Sequence, residues 1–197
     1  ADVVVHSATK YISGHGDVIA GIAVARDQGY IAELKFGYMC EFGGVMSPFT
    51  AWLLLRGLKT LALRMREHEK NAMAVAKYLN RHPRVKRVYY PGLAHCPGHE
   101  VAVKQMQGFG AMVSFDVDGT VEESKAVVDA LQLFKLAVSL GDCESLVQHP
   151  FAMTHRGYTK EEIAQAGLTP SMIRLSIGLE HREDIITDLE QALSTLD

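Results

Sequence analysis

The sequence is poor in the features that mark several protein classes. Its three cysteines, Cys40, Cys96 and Cys143, are odd in number and widely spread over 197 residues. That argues against a disulfide framework, and no Cys-x-x-Cys pair suggests zinc. A reducing, cytoplasmic compartment is therefore expected. Long apolar runs are missing as well. The longest lies near residues 52–55, far short of the roughly 20 residues that a membrane helix needs. No membrane partner is expected, and no charged stretch leading into an apolar core suggests a secretion signal. An excess of positive charge is also absent. Twenty Lys and Arg face 23 Asp and Glu, a net charge of −3, whereas nucleic-acid binders lean the other way. Internal repeats and low-complexity tracts are not found.

What is present is ordinary globular composition. Apolar residues make up 48% and charged residues 22%, enough to build a core. The length suits one large domain, or one and part of another. The chain opens on Ala1 and enters an apolar, β-branched run over residues 2–6, which reads as a buried strand. Few chains begin inside a core strand, so this one is expected to be the later part of a longer protein.

Periodicity organises the rest. A loop rich in Gly, Ser, His and Thr spans residues 7–17. A second strand is expected over 18–25 and a helix over 27–38. Ser47-Pro48 reads as a hydroxyl cap with proline in the first turn. Leu54, Leu58, Leu61 and Met65, then Ala72, Ala76 and Leu79, form one stripe, which predicts a single long helix ended by Pro83. Strands are expected over 85–90, 111–117, 136–140 and 172–177, and helices over 121–131 and 182–196. The domain boundary is placed inside the long helix, dividing the chain into 1–66 and 67–197.

Three places hold chemistry-bearing residues. Ser7, Thr9 and Lys10 set two hydroxyls and an amine at the end of a strand, where ligands of α/β sheets sit. Hydroxyls bind phosphate, and a partly desolvated lysine is a carbonyl nucleophile. Gly14 and Gly16 would let backbone approach a ligand. The alternative is a solvated loop. Ser139, Glu144, His149 and His155 crowd a polar stretch after the 136–140 strand, where the alternative is a structured turn with Ser145 capping a short helix. Arg174 lies within the strand over 172–177, on the face of Met172 and Ser176, and needs an anionic partner. A substrate carboxylate suits its bidentate fork, against an edge arginine in water or an internal salt bridge. His95-Cys96-Pro97-Gly98-His99 reads as a turn rather than a metal loop, and no metal is expected.

These residues carry a resemblance. His6-Ser7-Ala8-Thr9-Lys10-Tyr11 with Gly14-His15-Gly16-Asp17 resembles the pyridoxal-phosphate lysine motif of the Cys/Met-metabolism enzymes. That family includes methionine γ-lyase, cystathionine γ-lyase, cystathionine γ-synthase and the homoserine sulfhydrylases. The likeness continues in order through Ser47-Pro48, Leu55-Arg56-Gly57-Leu58-Lys59-Thr60-Leu61, Tyr90-Pro91-Gly92, Ser139-Leu140-Gly141, Met153-Thr154-His155 and Arg174-Leu175-Ser176-Ile177-Gly178. Leu146-Val147-Gln148-His149-Pro150 looks most like the methionine γ-lyase branch.

The resemblance implies an α/β fold of the aspartate-aminotransferase type. The chain would hold the end of the large cofactor domain and the small α+β C-terminal domain. It implies that Lys10 bonds the cofactor aldehyde and then shuttles protons, and that Ser7 and Thr9 bind the cofactor phosphate. Arg174 would clamp the substrate α-carboxylate, with Ser139 beside it. The activity implied is carbon–sulfur lysis of a small sulfur amino acid, with γ-elimination giving a thiol, 2-oxobutanoate and ammonia. Cystathionine cleavage, γ-replacement and an inactive oligomerisation fragment are the alternatives. A homo-oligomer, a dimer of dimers, is implied too. The family's acid beside the pyridine nitrogen, its ring-stacking tyrosine and the groups lent by a neighbouring subunit would lie upstream of Ala1, so the isolated chain is expected to be inactive. Met39-Cys40-Glu41 departs from the Lys-Asp pair of methionine γ-lyases, which opens the question of substrate.

Overall fold

The computed structural model describes residues 1–154 and 157–196. It divides into two compact units, Ala1–Ala62 and Leu63–Asp197. In the first unit, β1 (Val3–Ser7) pairs antiparallel with β2 (Gly21–Ala25), Val3 opposite Ala25 and Ser7 opposite Gly21. The expectation that the first strand is buried is not met. All five β1 residues are exposed, Val5 by 74%. β-Branched side chains secure an extended backbone, but burial needs packed neighbours. Within this unit the core is only Ala8, Val18 and Leu54, with Ile12, Ala20, Ile22, Met46 and Leu53 partly buried against it.

The expected helix over 27–38 forms, but it runs on to Phe42 and contains a π-helical turn. Asp27 caps α1 (Gln28–Glu33), a π-helical turn follows over Leu34–Tyr38, and α2 (Met39–Phe42) completes it. Cys40 Sγ donates to the Lys35 carbonyl five residues back (3.4 Å), the spacing of the widened turn. α3 (Pro48–Leu58) starts as its cap predicts, with the Ser47 hydroxyl accepting from Thr50 N (3.1 Å). The single long helix does not form. α3 stops, and α4 (Leu61–Leu79) starts afresh. Lys59 N and Thr60 N donate three residues back to Arg56 and Gly57 (both 3.2 Å), and the Thr60 hydroxyl also takes the Gly57 carbonyl (3.3 Å). These contacts tighten the last turn and use an acceptor that a continuing helix would need.

The second unit holds a five-stranded sheet. Its members are β3 (Val85–Tyr89), β4 (Met112–Val117), β5 (Lys135–Leu136), β6 (Leu146–Gln148) and β7 (Met172–Ser176), in the order β3-β4-β7-β6-β5. Every pairing is antiparallel except β5 with β6. The helices besides α4 are α5 (His99–Gln105), α6 (Val121–Ala130), α7 (Lys160–Gln165) and α8 (Arg182–Leu193). Thr120 and Glu123 close a capping box on α6. Val113, Phe115, Ile173, Leu175 and Ile177 join Val75 and Leu79 of α4 and Ile185, Leu189 and Leu193 of α8 as fully buried side chains. The strand expected over 136–140 shrinks to Lys135–Leu136, and no helix follows Ser145, since Leu146–Gln148 is strand. Arg174 is not at an edge, because β7 is the middle strand.

Candidate functional site

In the first unit the site grows from the end of β1. After Ser7 the chain turns inward, and Ala8 is completely buried. Thr9 prolongs the pairing with β2's lead-in. Its N–H donates to the Ala20 carbonyl (3.1 Å), its hydroxyl donates to the same oxygen (3.2 Å) and accepts from Ala20 N (2.9 Å). Lys10 is half-buried, and its backbone is held at both ends. Its N–H donates to Ser7 O (3.3 Å), and its carbonyl accepts from Gly14 N (2.8 Å). Ser13 closes the loop through its N–H to Ala8 O (3.1 Å) and its hydroxyl to Asp17 (2.9 Å). Gly14 and Gly16 have φ of 73° and 63°, so the turn itself requires glycine there. Gly57 of α3 lies against this loop. A Cβ there would stand 2.4 Å from Ser13 O and 2.8 Å from Ile12 O.

This donor set fits pyridoxal phosphate. A lysine is anchored through its backbone near a strand end, and the exposed Ser7 hydroxyl makes no hydrogen bond among the described residues. Thr9 fits less directly. Its hydroxyl proton is committed to Ala20, so it donates to a phosphate only by releasing that carbonyl.

In the second unit the site centres on Arg174. Cross-strand register sets it opposite Ser114 of β4 and Gln148 of β6. Its Nη2 donates to Gln148 Oε1 (2.8 Å) and to the backbone carbonyl of Ser139 (3.0 Å). Both acceptors are neutral, so they orient the guanidinium without cancelling its charge. Ser139 thus meets Arg174 through its main chain. The segment carrying Ser139 is tied back to β7 and to the turn that follows it. Gly141 N donates to Ser176 Oγ (2.9 Å), and Ser145 N (2.6 Å) and Oγ (2.8 Å) both donate to the Glu180 carboxylate. Gly178 N donates to Ser145 Oγ (2.8 Å), closing the knot.

Gln148 was not singled out by the sequence. It is neutral, 2% exposed and in a strand of three residues, with no charge or spacing to mark it. His149, which was singled out, has both ring nitrogens in structural use. Ala152 N donates to Nδ1 (3.2 Å), so Nε2 carries the proton and donates to Ser124 Oγ (2.8 Å). Burial lowers its pKa, with Lys125 adding to the effect. Glu144 is exposed, and His155 lies outside the described residues. In the 95–99 segment, Tyr90 N donates to Cys96 Sγ (3.3 Å), and His99 Nδ1 donates to Pro91 O (2.7 Å). No cluster of three or more His, Cys, Asp or Glu suited to a metal occurs among the described residues.

A family model described as Cys/Met metabolism PLP-dependent enzyme matches residues 1–194. L-methionine gamma-lyase of Fusobacterium nucleatum subsp. polymorphum is 52% identical over 197 residues, 100% of this chain and 50% of the relative. Cystathionine gamma-lyase of Dictyostelium discoideum is 46% identical over 193 residues, covering 98% and 50%. A crystal structure of cystathionine gamma synthase from Xanthomonas oryzae pv. oryzae in complex with cystathionine superposes with a TM-score of 0.94 at 49% identity, covering 98% of this chain and 50% of that one. The chain spans about half the length of the curated relatives it matches.

Proposed function

We propose, from the premise that this chain belongs to the Cys/Met metabolism family of PLP-dependent enzymes, that the protein is a carbon–sulfur lyase of sulfur amino acids. Its substrates are methionine or homocysteine, cleaved to a thiol, 2-oxobutanoate and ammonia. The observation that carries the reading is Lys10, a half-buried amine held at the end of β1 beside Ser7 and Thr9, in a chain 52% identical to a methionine gamma-lyase. Pyridoxal phosphate, when bound, supplies an aldehyde for that amine and an electron-withdrawing ring for the substrate carbon.

The chain's own residues do the rest. Lys10 Nζ anchors the cofactor, then takes and returns protons at the reacting carbons. Ser7 Oγ donates to the phosphate, joined by Thr9 when it releases Ala20. Arg174 grips the α-carboxylate in a charge-assisted pair, with Gln148 and the Ser139 carbonyl fixing the guanidinium plane. The large exposed apolar side chains of the first unit, Ile19 at 91% and Phe42 at 81%, support a homo-oligomer that covers them. No described helix is long and apolar enough to cross a membrane. The likeness to cystathionine gamma synthase favours a second reading, a γ-replacement transferase.

Borohydride reduction with peptide mass mapping tests the site. A pyridoxyl adduct on Lys10, lost in Lys10→Ala, is expected, and an adduct confined to another lysine overturns the assignment. Product analysis on the full-length protein tests the reaction. Ammonia and 2-oxobutanoate from methionine or homocysteine identify the lyase. A new thioether amino acid without ammonia identifies the transferase.

A further inference from the structure

Away from Lys10 and Arg174, the second unit holds a cavity of about 590 Å³ lined by the end of α4, the segment after it and α8. The sequence makes its character cationic. Arg81, His82, Arg84, Lys86 and Arg87 fall within seven residues that contain no acid. Lys77 and Tyr78 stand in the last turn of α4, and Arg81 lies in the turn just after it. They line the cavity with His82, Arg84 and Glu190, the one carboxylate residue among the described lining residues.

That carboxylate is already engaged. The Tyr78 hydroxyl donates to Glu190, and burial followed by this contact raises the Tyr78 pKa, so the phenol stays a donor. The Arg84 backbone N–H donates to His82 Nδ1 (3.2 Å), which puts the neutral ring's proton on Nε2. Nε2 stands 3.8 Å from Glu190, beyond hydrogen-bond reach. Arg84 Nη2 reaches Glu123 only at 3.5 Å, and its buried Nε has no partner among the described residues. Lys77 and Arg81 join no ion pair among the described residues. A buried N–H without an acceptor is costly and calls for an unseen partner. The Tyr78 and His82 rings, 5.6 Å apart, add an apolar wall. The volume falls in the range of small-molecule sites.

We propose that this cavity binds a small organic anion, a carboxylate or phosphate on a planar apolar body. The anionic group lies against Lys77, Arg81 and Arg84, and the body lies against Tyr78 and His82. Lysine and arginine make charge-assisted bonds to either anion. The test therefore carries both, as benzoate and phenyl phosphate.

Each probe is titrated calorimetrically into purified protein freed of loosely held cofactor, at fixed ionic strength, with sodium chloride as the control. Saturable binding of at least one probe is expected, and which one binds identifies the anion. Lys77→Glu with Arg81→Glu should weaken it about tenfold or more. Both side chains are exposed, so the fold should survive; Lys77→Gln with Arg81→Gln should give a smaller loss in the same direction. Ser7→Ala with Thr9→Val should leave it unchanged. Three results overturn the proposal: chloride matching the probes, charge reversal leaving affinity within about twofold, or binding that disappears with Ser7 and Thr9 instead.

Discussion

The contact between Gln148 and Arg174 gives the sharpest handle on the substrate recognition proposed for Arg174. Gln148→Glu is nearly isosteric and replaces a neutral acceptor, 2.8 Å from Nη2, with a carboxylate. Two unit charges at about 4 Å and an effective dielectric of about 20 attract by about 4 kcal/mol. Gln148 is 2% exposed, so desolvation of the new carboxylate offsets much of that gain. If about 1.4–2.8 kcal/mol survives, the arginine is withheld from the substrate and KM rises about tenfold to a hundredfold. The carboxylate does not touch the reacting carbons, so kcat should change by less than about threefold, the pattern of lost uniform binding. Gln148→Ala removes an acceptor from a charged donor, worth about 1.5–3 kcal/mol, and should lower stability as well. The assay, run on the full-length protein, is initial-rate ammonia release from the sulfur amino acid turned over, with the inhibition constant of a competitive amino-acid analogue as a second reading. A folded Gln148→Glu enzyme with unchanged KM, or one that loses kcat alone, would show that Arg174 does not hold the carboxylate.

Two further predictions concern stability and the cofactor loop. Burial lowers the pKa of both His68 and His149 below the ordinary 6.5, so each is neutral in the folded state near pH 7. Their contribution is complete above 6.5 and is lost as pH falls through the folded values. The melting temperature should drop on acidification, and His149→Gln should flatten the drop; equal slopes in both proteins would contradict it. Gly57→Ala drives a Cβ into two backbone carbonyls of the Lys10 loop. Such overpacking costs about 1–3 kcal/mol, so spectroscopic titration should show weaker pyridoxal phosphate retention.

The legibility of this molecule follows the range of the interactions involved. Ser47-Pro48 announced α3 because a cap is made within four residues. Arg174 stood out because a charge inside a strand demands a partner wherever that partner lies. The α3–α4 break stayed hidden because Leu54, Leu58, Leu61 and Met65 keep phase across it, so periodicity carries no mark of the carbonyl that Thr60 takes. The β1 run revealed an extended backbone but not its exposure, since burial depends on what packs against a strand. Gln148 was silent for the opposite reason to Arg174. A neutral amide in a three-residue strand satisfies every local rule, and its role exists only through a register partner 26 residues away. Ser145 and Glu180, 35 apart, close the Ser139 segment in the same way. The residues proposed to react were therefore readable one at a time. The residues that aim them were not, because aiming is a property of pairs that only the folded chain brings together.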